Sequence, residues 1–155
     1  MSGLKSELLF ELQLQTAGGL HLGDGPLGYR AIGSVVGGDF TGPRLSGKVL
    51  PGGGDWLVVR SDETRSIDAR VTIEATDGSQ IYMTYSGRIC LPPTITVPLD
   101  RETIEDIDPE TYYFRSTPLF EVRKDSPLAF LNGIVAVGIG RFLRTGVEYR
   151  VFHIQ

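Results

Sequence analysis

"SIDARVTIEATDGSQIYMTYSGRI", residues 66–89, consists of two alternating runs about the hinge Thr76-Asp77-Gly78. Side chains of a strand project to opposite faces with a period of two, so such runs mark strands that cover one face and wet the other. Gly78 can take the positive φ that closes a tight hairpin. If the hinge is a three-residue loop, Ala75 faces Ser79. The pairing then puts Ile67, Ala69, Val71 and Ile73 on one face with Ile81, Met83 and Tyr85. The opposite face carries Asp68, Arg70, Thr72 and Glu74 beside Tyr82, Thr84 and Ser86. A two-residue Asp-Gly loop would instead mix the faces, so register decides which tyrosine joins Arg70.

Outward from this hairpin, strand signals recur and helix signals are scarce. "LLFELQLQ" (8–15), "PRLSGKVLP" (43–51) and "DWLVVR" (55–60) are strand-length pieces between glycine clusters. "GIVAVGIGRFL" (133–143) and "VEYRVFHI" (147–154) form a second hairpin through Arg144-Thr145-Gly146. "SPLAFLN" (126–132) offers Ser126 as N-cap and Pro127 at the first helical position, enough for one short helix. Twenty glycines and nine prolines with 41% hydrophobic residues suit many short strands and turns. The 155 residues are read as one domain, residues 1–155, long enough to bury a core without staples. A single antiparallel β-barrel of about nine strands with one short helix is the favoured architecture, over a two-sheet sandwich, because "GGDF" (37–40) and "PGGGDW" (51–56) suit strands that bend sharply to close a sheet.

Charge and composition narrow the partners. The net charge is −4 with acids and bases interspersed, which offers no basic field for a phosphate backbone, so no nucleic acid is expected. No apolar run reaches membrane-helix length, and "MSGLKSELLF" lacks the apolar core and cleavage site of a signal peptide, so a cytoplasmic protein without membrane contact is expected. The single Cys90 agrees with a reducing compartment. Homo-oligomer formation stays open. Segment 90–110, "CLPPTITVPLDRETIEDIDPE", with three prolines followed by six acids, is either a lid or a solvated excursion.

"GPRLSGKV" (42–49) imitates a phosphate-binding loop, but Val49 stands where the metal-binding hydroxyl belongs and Pro51 with the glycines after it prevents the helix that must follow. His21, placed in the loop "GLHLGDG", and His153 form no metal-ligand pattern, and the acids of 100–110 lack calcium-loop spacing, so no metal and no cofactor are expected. No nucleophile elbow surrounds a serine, and Cys90 reads as structural.

"GGDFTGPRLSGKVLPGGGDW", "DARVTIEATDGSQIYMTYSG", "YYFRSTPLFE" and "LAFLNGIVAVGIGR" together, in order and over most of the chain, resemble the successive blocks of the family catalogued as domain of unknown function 3237. The resemblance implies a small β-barrel of calycin-like appearance and carries no general activity with it. The chain departs from the family pattern at "SDETRS", where a glycine usually follows the aspartate, and in the length of 90–110.

The residues themselves offer one chemical constellation. If the Arg70 face lines a wet cavity, Arg70 holds an anionic or carbonyl oxygen, Tyr82 donates a proton, and Asp55 or Glu121 serves as base once desolvation raises its pKa. Trp56, Thr84, Tyr113 and Arg115 complete the expected ligand contacts. If that face is the barrel exterior, the constellation is surface. The expected function is binding of a small hydrophobic oxygenated metabolite with cofactor-independent isomerase, cyclase or lyase chemistry; the alternative is a non-catalytic carrier.

Overall fold

A computed structural model describes residues 3–155. Nine antiparallel strands follow in chain order: β1 Ser6–Gly25, β2 Gly28–Thr41, β3 Ser46–Val49, β4 Gly53–Val59, β5 Arg65–Ala75, β6 Gln80–Cys90, β7 Tyr113–Glu121, β8 Ala136–Leu143 and β9 Gly146–Ile154. They lie in the order β1-β9-β8-β7-β6-β5, after which β5 pairs with both β3 and β4, each of these pairs with β2, and β2 returns to β1. The sheet is therefore a ring, and closure removes the open edges that would invite other chains. Among the described residues the helical content is three short 3₁₀ turns, at Ile104–Asp106, Pro109–Thr111 and Ala129–Gly133, where one short helix is expected from sequence. No helix among them is long and apolar enough to cross a membrane.

The β5–β6 register is the one the three-residue loop demands: Ile73 pairs with Ile81, Val71 with Met83 and Ala69 with Tyr85. The Ala75 N–H donates to Ser79 O and the Gly78 N–H to Ala75 O, while Gly78 takes φ +87°. Two other segments differ from the sequence reading. "GLHLGDG" is strand, not loop: β1 runs on to Gly25, and its far half pairs with β2 through register shifts at Gln15/Thr16, Ala17/Leu20 and His21/Gly23. Bulges let a glycine-rich strand curl while keeping its partner, and they erase the alternation by which a strand is recognised. In the last hairpin Leu143 pairs with Gly146, so only Arg144 and Thr145 form the turn.

The inside of the ring is filled unevenly. At one end Phe10 packs edge-on against Phe40 and Phe120, with ring centroids 5.4 and 6.0 Å apart, among buried Ile73, Ile81 and Met83. Aromatic and branched side chains close that end. Towards the other end the fill thins to an open cavity.

Candidate functional site

The cavity has a volume of about 280 Å³, within reach of the smaller ligand pockets of proteins. Leu14, Val35, Leu57, Ile67, Ile89 and Phe114 give it apolar walls. Into it also face Asp55, Arg65, Tyr85 and Tyr149 from the strands, His21 at the rim, and Leu99 and Arg101 from the segment between β6 and β7.

Asp55 reaches the interior by parity. On β4 it pairs with Ala69 of β5, which pairs in turn with Tyr85 of β6, so the three residues form one row across the barrel wall. The methyl group in the middle leaves space between the carboxylate and the phenol. The β4–β5 ladder is interrupted just beyond this row: pairing resumes at Val58 and Ser66 in unchanged register. In the gap Asp55 Oδ1 accepts from the Asp68 N–H at 3.0 Å, and Arg30 donates to the Trp56 carbonyl at 2.7 Å. Side chains thus satisfy backbone groups that lack a ladder partner, and one of those bonds fixes the carboxylate.

Burial pushes the Asp55 carboxyl up to about 6; the Asp68 N–H opposes the shift and the Asp68 charge adds to it. A carboxyl near neutrality can hold or release a proton at working pH, which general acid–base chemistry requires. Tyr85 and Tyr149 meet edge to face at 5.3 Å. Burial raises both phenols above the usual tyrosine range, and the Asp55 charge raises them further, so both stay protonated and can donate.

The residues between β6 and β7 strap this end of the barrel. Tyr112 belongs to the core, Leu91, Ile95 and Ile107 pack on it, and Ile104 is buried in the turn that meets β8. The Tyr112 hydroxyl accepts from the Phe142 N–H at 3.0 Å. Arg101 donates to Thr16 Oγ1 at 3.1 Å and to the Arg144 carbonyl at 3.3 Å, and the Arg144 N–H donates to Glu105 at 2.7 Å. The acids of this segment serve its own turns: Asp100 accepts from the Glu102 N–H and Asp108 from the Glu110 N–H. Loop and strand ends are therefore tied across the cavity mouth.

Of the expected constellation, the fold brings Asp55 alone to the cavity. With Ile67, Ala69, Val71 and Ile73 buried inside, the alternate residues of β5 must point out. Arg70 is half exposed, 3.7 Å from Asp68 and 5.3 Å from the Trp56 ring, so its charge is answered on the outer surface and not by Glu121 or Asp55. Tyr82 pairs with Glu121 and Thr84 with Leu119 on that same outer face. Tyr113 and Arg115, expected as ligand contacts, share an outward face away from the cavity, with the guanidinium 5.0 Å from the phenol ring. The sequence reading missed Arg65, Tyr85 as a site residue, and Tyr149. Arg65 was legible, because it stands two residues before Ile67 on the same inward face.

A family model described as protein of unknown function, DUF3237, matches residues 4–154. The chain belongs to the DUF3237 family. A relative of unknown function from Rhodopseudomonas palustris is 30% identical over 118 residues, 76% of each chain, and its crystal structure superposes over all of both chains with a TM-score of 0.89 at 26% identity. A barrel-like protein from Acinetobacter baumannii, 30% identical, matches 100% of this chain and 98% of its own with a TM-score of 0.84. An enzyme from Penicillium herquei, 21% identical, shares the fold over 100% of this chain and 97% of its own with a TM-score of 0.72. The DUF3237 barrel is thus an architecture that recurs in solved structures, and its closed sheet in this chain is one instance.

Proposed function

We propose that this DUF3237 protein takes a small hydrophobic oxygenated metabolite into the barrel and rearranges it by cofactor-independent acid–base chemistry of the isomerase, cyclase or lyase kind. The observation that carries the reading is a partly buried carboxyl, pushed up to about 6 by desolvation, that faces a largely apolar cavity beside two protonated phenols. Asp55 takes a proton from the bound molecule and returns it at another atom. Tyr85 or Tyr149 donates to the oxygen on which charge gathers. A bound molecule would displace water from between the apolar walls and the strap, which strengthens both interactions. That a barrel of this shape belongs to an enzyme in Penicillium herquei fits such a use of the fold.

The test is to extract the small molecules that co-purify with wild type and with Ala69→Leu, in which the larger side chain fills the space between Asp55 and Tyr85. A compound retained by wild type and absent from the variant is expected by mass spectrometry. That compound is then incubated with wild type and Asp55→Asn. Conversion by wild type and retention without conversion by Asp55→Asn are expected. Retention without conversion by either protein assigns the barrel to a carrier instead, and identical extracts from wild type and Ala69→Leu overturn the cavity as the binding site.

A further inference from the structure

Two guanidinium groups line the cavity, against the single carboxylate of Asp55. Arg65 lies in the wall at the strapped end, half-buried, and among the described residues its guanidinium has no hydrogen-bond acceptor and no carboxylate within ion-pair distance, its nitrogens keeping contact with solvent. Burial pulls its guanidinium below the usual value, and Glu63 in the preceding turn offsets this by its charge alone. Arg101 gives two of its donors to the Thr16 hydroxyl and the Arg144 carbonyl, both neutral. A half-desolvated guanidinium gains from an anionic acceptor, and its planar fork of donors matches the two oxygens of a carboxylate. The walls add a second element of recognition: Phe114, Phe142, Tyr85 and Tyr149 present ring faces and edges to the same space.

We propose that the molecule held in the barrel is an acidic aromatic compound, whose anionic oxygen is received by Arg65 beneath the Arg101 strap while its ring system lies against Phe114 and the two tyrosines. This rests on the cavity being the binding site and goes beyond it by naming the ligand's charge and its orientation. Arg65 stands four residues along β5 from Ala69, the partner of Asp55. At a strand rise of about 3.3 Å per residue that is roughly 13 Å along the wall, so a fused ring system fits between the anion end and the carboxyl end. The two ends are chemically distinct. Arg65 fixes the anionic oxygen, and Asp55 faces the part of the molecule that exchanges a proton.

The probes are 2-naphthoate and 2-naphthamide, which share a ring system and differ in charge. Each is titrated by calorimetry at low ionic strength and neutral pH into wild type, Arg65→Met, Arg65→Gln and Ala69→Leu. Wild type is expected to bind the naphthoate roughly tenfold or more tighter than the amide, the scale of one charge-assisted hydrogen bond. Arg65→Met and Arg65→Gln are expected to bind both probes alike, with the amide affinity of wild type retained, and Ala69→Leu to bind neither. Equal affinity of wild type for the two probes, or a naphthoate preference that survives in a folded Arg65 variant, overturns the acidic-ligand inference and leaves the cavity reading standing. Failure of both probes to bind wild type, or binding unaltered in Ala69→Leu, overturns the cavity reading together with the inference. The wild-type pair of titrations decides even where an Arg65 variant does not fold.

Discussion

Asp55→Asn separates the cost of the cavity carboxyl from its use. The side chain keeps its shape and an oxygen acceptor for the Asp68 N–H, and loses its charge. Folding raises the group from the ordinary 3.8 to about 6 by burial. The native state therefore holds more protons than the unfolded chain between those two values, and stability falls as pH rises through that window. Below about pH 3 the group is protonated in both states and the ionisation adds no cost; above about pH 7 it is ionised in both and the cost is complete. A carboxyl raised this far is destabilised in its ionised form by about 3 kcal/mol. The stability gap in favour of Asp55→Asn should accordingly widen by about 2 to 3 kcal/mol between about pH 4 and pH 7, then stay level. For a chain of this length that is roughly 4 to 12 °C in melting temperature. Urea unfolding of both proteins across the pH range measures it, with the other titrating groups cancelling in the difference. A constant gap across the range would refute the assignment of a raised carboxyl to Asp55, and a gap that narrows as pH rises would reverse its sign.

Arg70→Met removes an outer-surface charge whose partners, Asp68 and Trp56, are themselves on or near the surface. Thermal and urea unfolding should place it within about 0.5 kcal/mol of wild type, and its binding of the cavity ligand should be unchanged. Gly140→Ala acts on the opposite side of the wall: a β-carbon there would lie 2.4 to 2.7 Å from the Phe114 ring, which is fully buried. Overpacking at such a site costs about 1 to 3 kcal/mol, so a drop in the urea midpoint without a change in slope is expected, and wild-type stability would show that Phe114 moves freely.

The barrel was legible wherever alternation was unbroken. The 66–89 hairpin gave its register and its covered face, and that parity already consigns Arg70 to the outside once a closed ring makes the covered face the interior. The expectation of an Arg70 and Tyr82 site rested on treating the polar face as cavity lining, and burial of Ile67, Ala69, Val71 and Ile73 decides against it. Asp55 entered the sequence reading beside Glu121 as a base conditional on desolvation, and the condition became visible only with its inward place on β4. Arg65 lay one step past the end of the alternating run considered, so a longer reading of the same face reaches it. Tyr149 was not legible as a partner of Tyr85, because β6 and β9 are separated by β7 and β8 in the sheet and meet only across the interior of a closed ring. The strand character of residues 17–25 was hidden by bulges, which spoil the period of two on which recognition of strands depends.

The Asp68 amide has a use that follows from its unusual acceptor. Its nitrogen lies 3.0 Å from the oxygen of a carboxylate that titrates, while the amides in the regular rungs of β4 and β5 face carbonyls that do not. An amide proton bonded to an ionised carboxylate is deshielded, and the deshielding is relieved when the oxygen gains a proton. In a two-dimensional nitrogen–proton spectrum the Asp68 resonance is therefore a built-in indicator of the ionisation of Asp55. A molecule entering the barrel would register at that one peak through its effect on the carboxyl, with no label on the molecule and no knowledge of its identity.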